Sequence, residues 1–170
     1  MFAEKHPLAQ IITDVADDGS LHSIYIASHG DANSIGGLKG ASISRTELRN
    51  ILNKANSDEN IEGIFFGSCM IATKQNANFW LTETTTNLNW IAGYTESVDW
   101  IDSSAVDMIF WSKYLHERKI NRTRKKNKKS ETEMVKHAAS EMKKLMPTIF
   151  TEMGFNVYYL DSGGSLTSTW

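Results

Sequence analysis

The only cysteine of the chain and one of its five histidines each follow a short apolar run. Cys69 comes after GIFFGS at positions 63–68, and His29 comes after SIYIAS at positions 23–28. Glycine and serine interrupt apolar runs, so each run predicts a strand that ends in a turn carrying a reactive side chain. Functional groups of a parallel sheet collect at the carboxyl ends of its strands. If the two strands are parallel neighbours, a thiol and an imidazole meet at one edge as nucleophile and base.

Attack by such a thiolate on a carbonyl group creates an oxyanion, which needs hydrogen-bond donors. A backbone donor of this kind is worth roughly 3 kcal/mol of barrier. Gly30 has no side chain, so a substrate can approach its backbone closely. We therefore predict that the Gly30 and Cys69 N–H groups form an oxyanion hole. This chemistry calls for neither a metal nor a cofactor. The structural alternatives are a small buried cysteine and a histidine bonded to a backbone carbonyl.

Hydrophobic periodicity places short strands between amphipathic helices. The strands are predicted at 24–27, 63–66, 90–94 and 156–160, and the helices at 8–15, 44–56, 76–86, 102–115 and 131–146. Ser44 and Glu47 have the spacing of a capping box, and Asp102 is predicted to cap the helix that follows it. Residues 31–42 are predicted to be a loop or small hairpin, and residues 161–165 a flexible tail. Strands that alternate with helices predict one α/β domain over 1–170, with a mostly parallel central sheet flanked by helices in three layers.

Composition and charge restrict the setting and the partners. Hydrophobic residues make up 41% of the chain, no apolar run approaches the length of a membrane span, and the N-terminus lacks the pattern of a signal peptide. With a single cysteine, these features favour a reducing, cytoplasmic location and no membrane partner. Eight of the 18 Lys and Arg residues fall within 118–129, which leaves 10 basic against 20 acidic residues elsewhere. An acidic body argues against nucleic acid as a general partner.

The order of strand, Ser-His-Gly, helix, strand and Gly-Ser-Cys resembles the caspase-like cysteine peptidases, which include bacterial CHAT-domain and clostripain-type proteases. His29-Gly30 is similar to the family's His-Gly, Cys69 matches its cysteine, and residues 93–105 look like the CHAT pattern of a strand, an aspartate and an apolar helix. The resemblance covers roughly residues 23–115 and implies a caspase-like, Rossmann-like domain. It also implies a Cys-His dyad that hydrolyses protein or peptide substrates.

The same resemblance implies further partners. A regulatory protein or a second copy of the chain is expected, because the family has two strands before the His strand and about 22 residues precede it here. Either the domain is a shortened version, or another chain supplies the missing edge. A catalytically inactive caspase-like module that binds a protein partner is the alternative function. A nucleotide-binding Rossmann domain is disfavoured, because no Gly-x-Gly-x-x-Gly fingerprint follows the first strand.

Two charged stretches bear on specificity. Glu96 and Asp99 follow the third strand, where the resemblance implies a pocket for the residue before the scissile bond. An acidic pocket would select Arg or Lys, and the alternative is a solvated loop. The basic segment at 118–130 is predicted to be a flexible loop, which is solvated, contacts an acidic partner or is cut by the protein itself.

The aromatic residues with the spacing of a buried core are expected to pack inside it: Trp80, Trp90, Trp100, Phe110 and Trp111.

Overall fold

The computed structural model describes residues 5–36 and 42–170. In chain order, its helices are α1 (Lys5–Asp17), α2 (Arg45–Ala55), α3 (Lys74–Leu81), α4 (Trp100–Thr123), α5 (Glu131–Leu145) and α6 (Ile149–Met153). Its strands are β1 (His22–Ala27), β2 (His29–Gly30), β3 (Ser34–Gly36), β4 (Ser42–Ser44), β5 (Ile61–Gly67), β6 (Trp90–Tyr94), β7 (Phe155–Leu160) and β8 (Leu166–Ser168).

The central sheet contains five of these strands in the order β1-β5-β6-β7-β8. β1 pairs in parallel with β5, and β5 pairs in parallel with β6. β7 and β8 extend the sheet through antiparallel pairs. The prediction of a mixed α/β fold with a mostly parallel central sheet is therefore confirmed. The carboxyl ends of β1, β5 and β6 open on the same edge, which is the edge that the sequence predicted to carry the reactive groups.

Helices cover both faces of this sheet. The neighbouring residues Phe65 and Phe66 of β5 are fully buried but belong to two different core clusters, because successive side chains of a strand point to opposite faces. Phe66 packs in the cluster that includes residues from α1, α2 and α3, and Phe65 in the one that includes α4 and α5. Burial on both faces explains why residues 63–66 of β5 form an uninterrupted apolar run in the sequence.

A small antiparallel sheet, β2-β3-β4, follows β1 directly. It corresponds to the loop or small hairpin predicted at 31–42, of which residues 37–41 lie outside the described residues. β4 ends at Ser44, where the predicted capping box with Glu47 is confirmed in both directions. The small sheet is thus held between the carboxyl end of β1 and the first turn of α2.

The predicted cap of α4 is wrong by one turn. The Asp99 carboxylate accepts hydrogen bonds from the Ile101 and Asp102 amides at 2.8 and 3.4 Å, so the helix begins at Trp100. Asp102 lies in the first turn, where an acidic side chain also suits the helix dipole. Both acids fit the statistics of a helix start, and the three-residue difference could not be read from the pattern.

The prediction of a flexible loop over 118–130 is wrong for its first half. α4 continues to Thr123, because Arg and Lys are good helix formers and two buried carboxylates need cations. Arg118 lies 3.3 Å from Glu62, and Lys129 lies 2.7 Å from Glu117. Burial pushes the pKa of Glu117 upward, but Lys129 and the nearby His137 outweigh burial and hold that pKa below its ordinary value. The connection between α4 and α5 is therefore short and anchored at its end.

The stretch predicted to be a flexible tail is a turn between two strands. The Asp161 carboxylate accepts hydrogen bonds from the Gly163 and Ser165 amides at 2.8 and 2.9 Å, and the chain then returns as β8. Three residues are too few for β8 to show a recognisable period in the sequence. Across residues 5–36 and 42–170, no helix combines the length and apolar character that crossing a membrane requires.

Candidate active site

The ends of β1 and β5 bring the two predicted reactive residues to the same edge. Ala27 is opposite Gly67 in the parallel ladder, and the Ser28 amide reaches the Gly67 carbonyl at 3.4 Å. The hydroxyls of Ser28 and Ser68 then hydrogen-bond to each other at 3.0 Å. His29 and Cys69 are the next residue of each chain segment. The sequence prediction that the two strands are parallel neighbours is therefore confirmed.

Gly30 lies directly against the backbone of the cysteine turn. A Cβ atom at Gly30 would lie 2.7 Å from the Cys69 carbonyl oxygen and 3.0 Å from the Ser68 Cβ. Such a distance to a backbone oxygen is shorter than packed atoms tolerate, so only glycine permits this contact. The His-Gly dipeptide is thus fitted to the cysteine turn by the absence of a side chain.

The hydrogen bonding of β2 determines where the Gly30 N–H points. The Asp31 amide donates to the Ser34 carbonyl at 2.9 Å, and Gly30 is opposite Ile35 in the next register position. Hydrogen-bonded and non-hydrogen-bonded pairs alternate along antiparallel strands, so Gly30 and Ile35 form a non-hydrogen-bonded pair. The Gly30 N–H therefore points away from β3, on the side of the strand that carries no ladder bond.

The loop after β6 lies over the sulfur atom. Cys69 Sγ is 3.5 Å from the Val98 amide nitrogen, 3.8 Å from the Val98 carbonyl oxygen and 4.0 Å from the Ser97 hydroxyl. The Met70 amide donates to the Glu96 carbonyl at 3.1 Å, which ties the cysteine turn to this loop. Met70 itself adopts a left-handed conformation with φ of +60°, an unusual backbone state for a residue with a side chain. The cysteine turn is therefore held firmly, and the thiol is half-buried.

His29 and Cys69 line one narrow cleft. Its other walls are Ser28, Gly67, Val98, Trp100 and Ser103. The cleft encloses about 20 Å³, which is enough for a single water molecule. The His29 side chain is exposed. Its ring packs edge-on against that of Trp100, with 5.8 Å between the ring centroids.

A second and larger cavity adjoins His29 on the side of the small sheet. It encloses about 180 Å³ and is lined by His29, Gly30, Asp31, Ser34, Gly36 and Ser42. His29 therefore separates a tight space beside the sulfur from a wider one, and the wider cavity has room for part of a ligand.

The prediction that Trp100 packs in the core is wrong. It is 53% exposed and forms the outer wall of the cleft, whereas Trp80, Trp90 and Phe110 are buried as expected. Trp100 is the first residue of α4, and its position is set by the Asp99 cap rather than by the apolar face of the helix. Its exposure could not be inferred from spacing alone.

A buried carboxylate that the sequence analysis did not single out supports the wall of the cleft. Asp107 is 5% exposed and accepts hydrogen bonds from the Tyr25 and Tyr94 hydroxyls at 2.5 and 2.6 Å. Burial raises the pKa of Asp107, and the two hydroxyls partly offset that effect. The Tyr94 hydroxyl oxygen is also 2.9 Å from the carbonyl oxygen of Ser103, which lines the cleft. The signal for this network in the sequence was Asp107 itself, an acidic residue that directly follows Val106 on the buried face of α4 and therefore needs hydrogen-bond partners.

The predicted specificity residues lie near the cleft but do not line it. Asp99 is occupied as the cap of α4. Glu96 is exposed, and its backbone carbonyl accepts the Met70 amide. Asp31, which follows the His-Gly dipeptide, turns its carboxylate back to the Asn33 and Ser34 amides at 2.7 and 2.8 Å. The Asn33 bond, with those from Ser34, holds the pKa of Asp31 below its ordinary value.

Among the described residues, no group of three or more His, Cys, Asp or Glu side chains is arranged to hold a metal ion. No family model matches the chain, and no curated protein or solved structure matches it either. The resemblance to caspase-like peptidases therefore depends on the motifs of the sequence.

Proposed function

We propose that this chain is a cysteine peptidase of the caspase-like type, with Cys69 as nucleophile and His29 as base. The observation that carries the proposal is the close fit of Gly30 against the Cys69 backbone, beside a cleft lined by both reactive side chains. A pair of this kind at the carboxyl edge of parallel strands is a recurring arrangement for nucleophilic catalysis.

In the proposed reaction, His29 takes the thiol proton as the sulfur attacks the peptide carbonyl carbon. A C–S bond forms, and the carbonyl oxygen becomes an oxyanion. When this intermediate collapses, the C–N bond breaks and His29 donates its proton to the leaving amine. Water, deprotonated by His29, then attacks the thioester and releases the second product and the thiol. Electrons and protons balance without a cofactor.

The direction of the Gly30 N–H supports its role in holding the oxyanion. It lies in a non-hydrogen-bonded position of β2, so β3 does not use it. The Cys69 amide is the second proposed donor, because Gly30 contacts the backbone of that residue. Donors already fixed by a rigid turn need no reorganisation as charge develops.

The substrate that suits this site is a protein or peptide. The cavity beside His29 can take a side chain of the substrate, and Glu96 is the acidic candidate for selecting Arg or Lys because the carboxylate of Asp99 caps α4. We further propose a cytoplasmic location, since a reactive unpaired thiol persists in a reducing compartment.

One observation favours the alternative of a catalytically inactive module. The loop that carries Ser97 and Val98 lies on the sulfur, and the enclosed cleft holds only about 20 Å³. A peptide carbonyl can reach Cys69 only if this loop moves. If the loop does not move, the same turns form a rigid surface for a protein partner.

Cleavage of a fluorogenic peptide library that varies the residue before the cut distinguishes the two functions. We expect the wild-type protein to cleave a subset of peptides, and Cys69→Ala and His29→Ala to reduce that cleavage to background. Glu96→Gln should lower the rate for peptides with Arg or Lys at that residue. Equal rates for wild type and Cys69→Ala with every peptide would overturn the peptidase and leave the inactive module.

The exposed lysines between α4 and α5 allow a test of self-cleavage. Lys125, Lys126 and Lys128 are exposed in this connection. If the protein cuts itself after a basic residue there, intact-mass measurement of the purified wild type shows two fragments, and Cys69→Ala shows the full-length chain. Full-length masses for both proteins would remove self-cleavage from the proposal.

A further inference from the structure

α4 carries a second apolar stripe, on a side that faces away from the core. Ile101, Met108 and Leu115 are 81, 73 and 55% exposed. They recur every seven residues, or about two turns, so they lie on one line along the helix. The buried face of the same helix is formed by other residues, including Val106 and Phe110. A helix that is apolar on two faces has one face left to bury against something else.

The stripe lies beside the edge of the central sheet. Tyr25 of β1 is 44% exposed, and its ring packs edge-on against that of Trp111, which follows Met108 by three residues on α4. β1 is the first strand in the sheet order, so no strand among the described residues pairs with its outer edge. Tyr25 adds exposed apolar surface at the margin of the sheet, next to α4.

We propose that a second copy of this chain covers the stripe, with the two α4 helices packed antiparallel about a two-fold axis at Met108. Ile101 and Leu115 are each seven residues from Met108, so the stripe is symmetric about that residue. In an antiparallel contact, Ile101 meets Leu115 of the partner subunit, and Met108 meets Met108 of the partner subunit. A self-complementary patch of this kind is what a two-fold dimer requires.

The charges at the two ends of α4 favour this partner and this direction. Glu96, Asp99 and Asp102 lie at its beginning, and the exposed Lys119 and Arg122 lie near its end. An antiparallel pair sets the acidic end of each helix beside the basic end of the other. A parallel pair would oppose like charges and the aligned helix dipoles.

The contact is also long enough for a stable dimer. α4 has 24 residues and is therefore roughly 36 Å long. A specific interface buries about 800 Å² on each partner, which a helix of this length and the neighbouring part of β1 can provide. Because Ile101 directly follows Trp100, which walls the cleft, the dimer would also fix the rim of the candidate active site. This inference does not depend on the proposed peptidase activity.

Sedimentation velocity of the full-length protein over a range of concentrations tests the dimer. We expect a reversible dimer for the wild type, and a dissociation constant at least about 100-fold weaker for Met108→Glu, which sets two carboxylates against each other at the axis. Leu145→Glu is the matched control, because Leu145 is 60% exposed on α5 and lies outside the stripe. It should dimerise like the wild type.

Met108 and Leu145 are both exposed, so Met108→Glu and Leu145→Glu should keep the circular dichroism spectrum and thermal midpoint of the wild type. A wild type that stays monomeric at every concentration would overturn the proposal, and so would equal weakening by Met108→Glu and Leu145→Glu. A dimer that Met108→Glu leaves intact would show that another surface forms it.

A cross-linking experiment gives a readout that does not depend on weakening. In a Cys69→Ser background, Met108→Cys should form a disulfide-linked dimer on treatment with oxidised glutathione, which is reduced in the exchange. Leu145→Cys in the same background should remain largely monomeric. Equal cross-linking of the two variants would contradict a two-fold axis at Met108.

Discussion

The two ends of the central sheet carry polar clusters that differ in how completely they are enclosed. At the carboxyl end, His29 is exposed, Cys69 is half-buried, and cavities of about 20 and 180 Å³ adjoin them. At the amino end, Glu62 of β5 and Glu131 of α5 are only 7 and 8% exposed. The carboxyl end has room for another molecule, whereas the carboxyl groups at the amino end are surrounded by protein.

Neighbouring side chains satisfy the amino-end cluster in part, and the Oε2 atoms of Glu62 and Glu131 are buried without a hydrogen-bond partner in the part of the chain that the structure describes. The Tyr114 hydroxyl and the Trp90 indole donate to Glu131, and Arg118 approaches Glu62 at 3.3 Å. Burial, together with the neighbouring Glu62, raises the pKa of Glu131 to about 8. Burial also raises the pKa of Glu62, although its hydrogen bond with Glu131 and the charge of Arg118 oppose the shift. The pair therefore holds a proton in the folded protein at a pH where an exposed pair would not.

The difference separates a structural cluster from a candidate catalytic one. Burial and the neighbouring Trp90, Tyr114 and Arg118 side chains make the Glu62–Glu131 pair part of the folded framework. Reactive side chains beside open space, on a turn held by the close contact at Gly30, can act on a ligand. Perturbed pKa values alone do not separate the two ends, since burial raises the pKa of Asp107 beside the cleft as well as that of Glu131.

The largest effect that we expect is the pH dependence contributed by the amino end. The pKa of Glu131 is about 8 in the folded protein and 4.5 for the unperturbed side chain. Between these two pKa values the folded state binds a proton that the unfolded state does not. The contribution of Glu131 to stability is therefore complete below the pKa of 4.5. That contribution is lost as pH rises through the higher one, by an amount on the order of a few kcal/mol.

Glu131→Gln should remove this slope, since the amide does not titrate. The measurement is the free energy of unfolding by urea at about pH 5 and about pH 8, the two sides of the window. Glu152→Gln, a change at an exposed glutamate, should keep the wild-type slope. If Glu131→Gln and the wild type lose the same stability over this range, Glu131 is not the group that titrates.

A change of intermediate size is expected at the carboxyl end from Gly30→Ala. Its new Cβ would collide with the Cys69 carbonyl, so the turns must separate, at a cost of about 1–3 kcal/mol of stability. A displacement of this kind should also reduce peptide hydrolysis about 100-fold. Peptidase assays and urea unfolding measure the two effects.

Gly163→Ala is the matched control for Gly30→Ala. Its Cβ would lie 3.3 Å from the Asp161 Oδ1 atom, in the turn between β7 and β8, which is at the opposite end of the sheet from the cysteine turn. It should leave hydrolysis unchanged. An active and fully stable Gly30→Ala protein would show that the two turns do not need their close contact.

The smallest effect that we expect is on stability, from changes at Asp99, the cap of α4 beside the candidate active site. Asp99→Ala should cost about 1 kcal/mol of unfolding free energy because it removes the cap of α4, and Asp99→Asn should retain most of it. Asp102→Ala, one turn later, should change stability by only a few tenths of a kcal/mol. Thermal unfolding of the three variants gives these values. A loss of Arg or Lys preference in Asp99→Asn would instead assign Asp99 to substrate recognition.

The sequence predicted the parallel pairing that brings His29 and Cys69 to one edge of the sheet, because buried parallel strands have a clear apolar signature. It failed where tertiary partners decide the outcome. Arg118 and Lys129 are drawn to the buried carboxylates of Glu62 and Glu117, which no local pattern reveals. Trp100 is a large aromatic residue of the kind that packs in cores. Its exposure depends on whether Asp99 or Asp102 caps α4. The Asp107 network likewise requires Tyr25, which is 82 residues away.

The most direct test is the rate at which iodoacetamide alkylates Cys69, measured by intact mass, in the wild type and in His29→Ala. Cys69 is the only cysteine, so the measured label reports this thiol alone. If His29 activates it, the wild type reacts at least about ten times faster than His29→Ala near pH 7, while the two proteins unfold at the same urea concentration. Equal rates in the two folded proteins, or a wild-type thiol that does not react, would contradict a catalytic pair at this edge of the sheet.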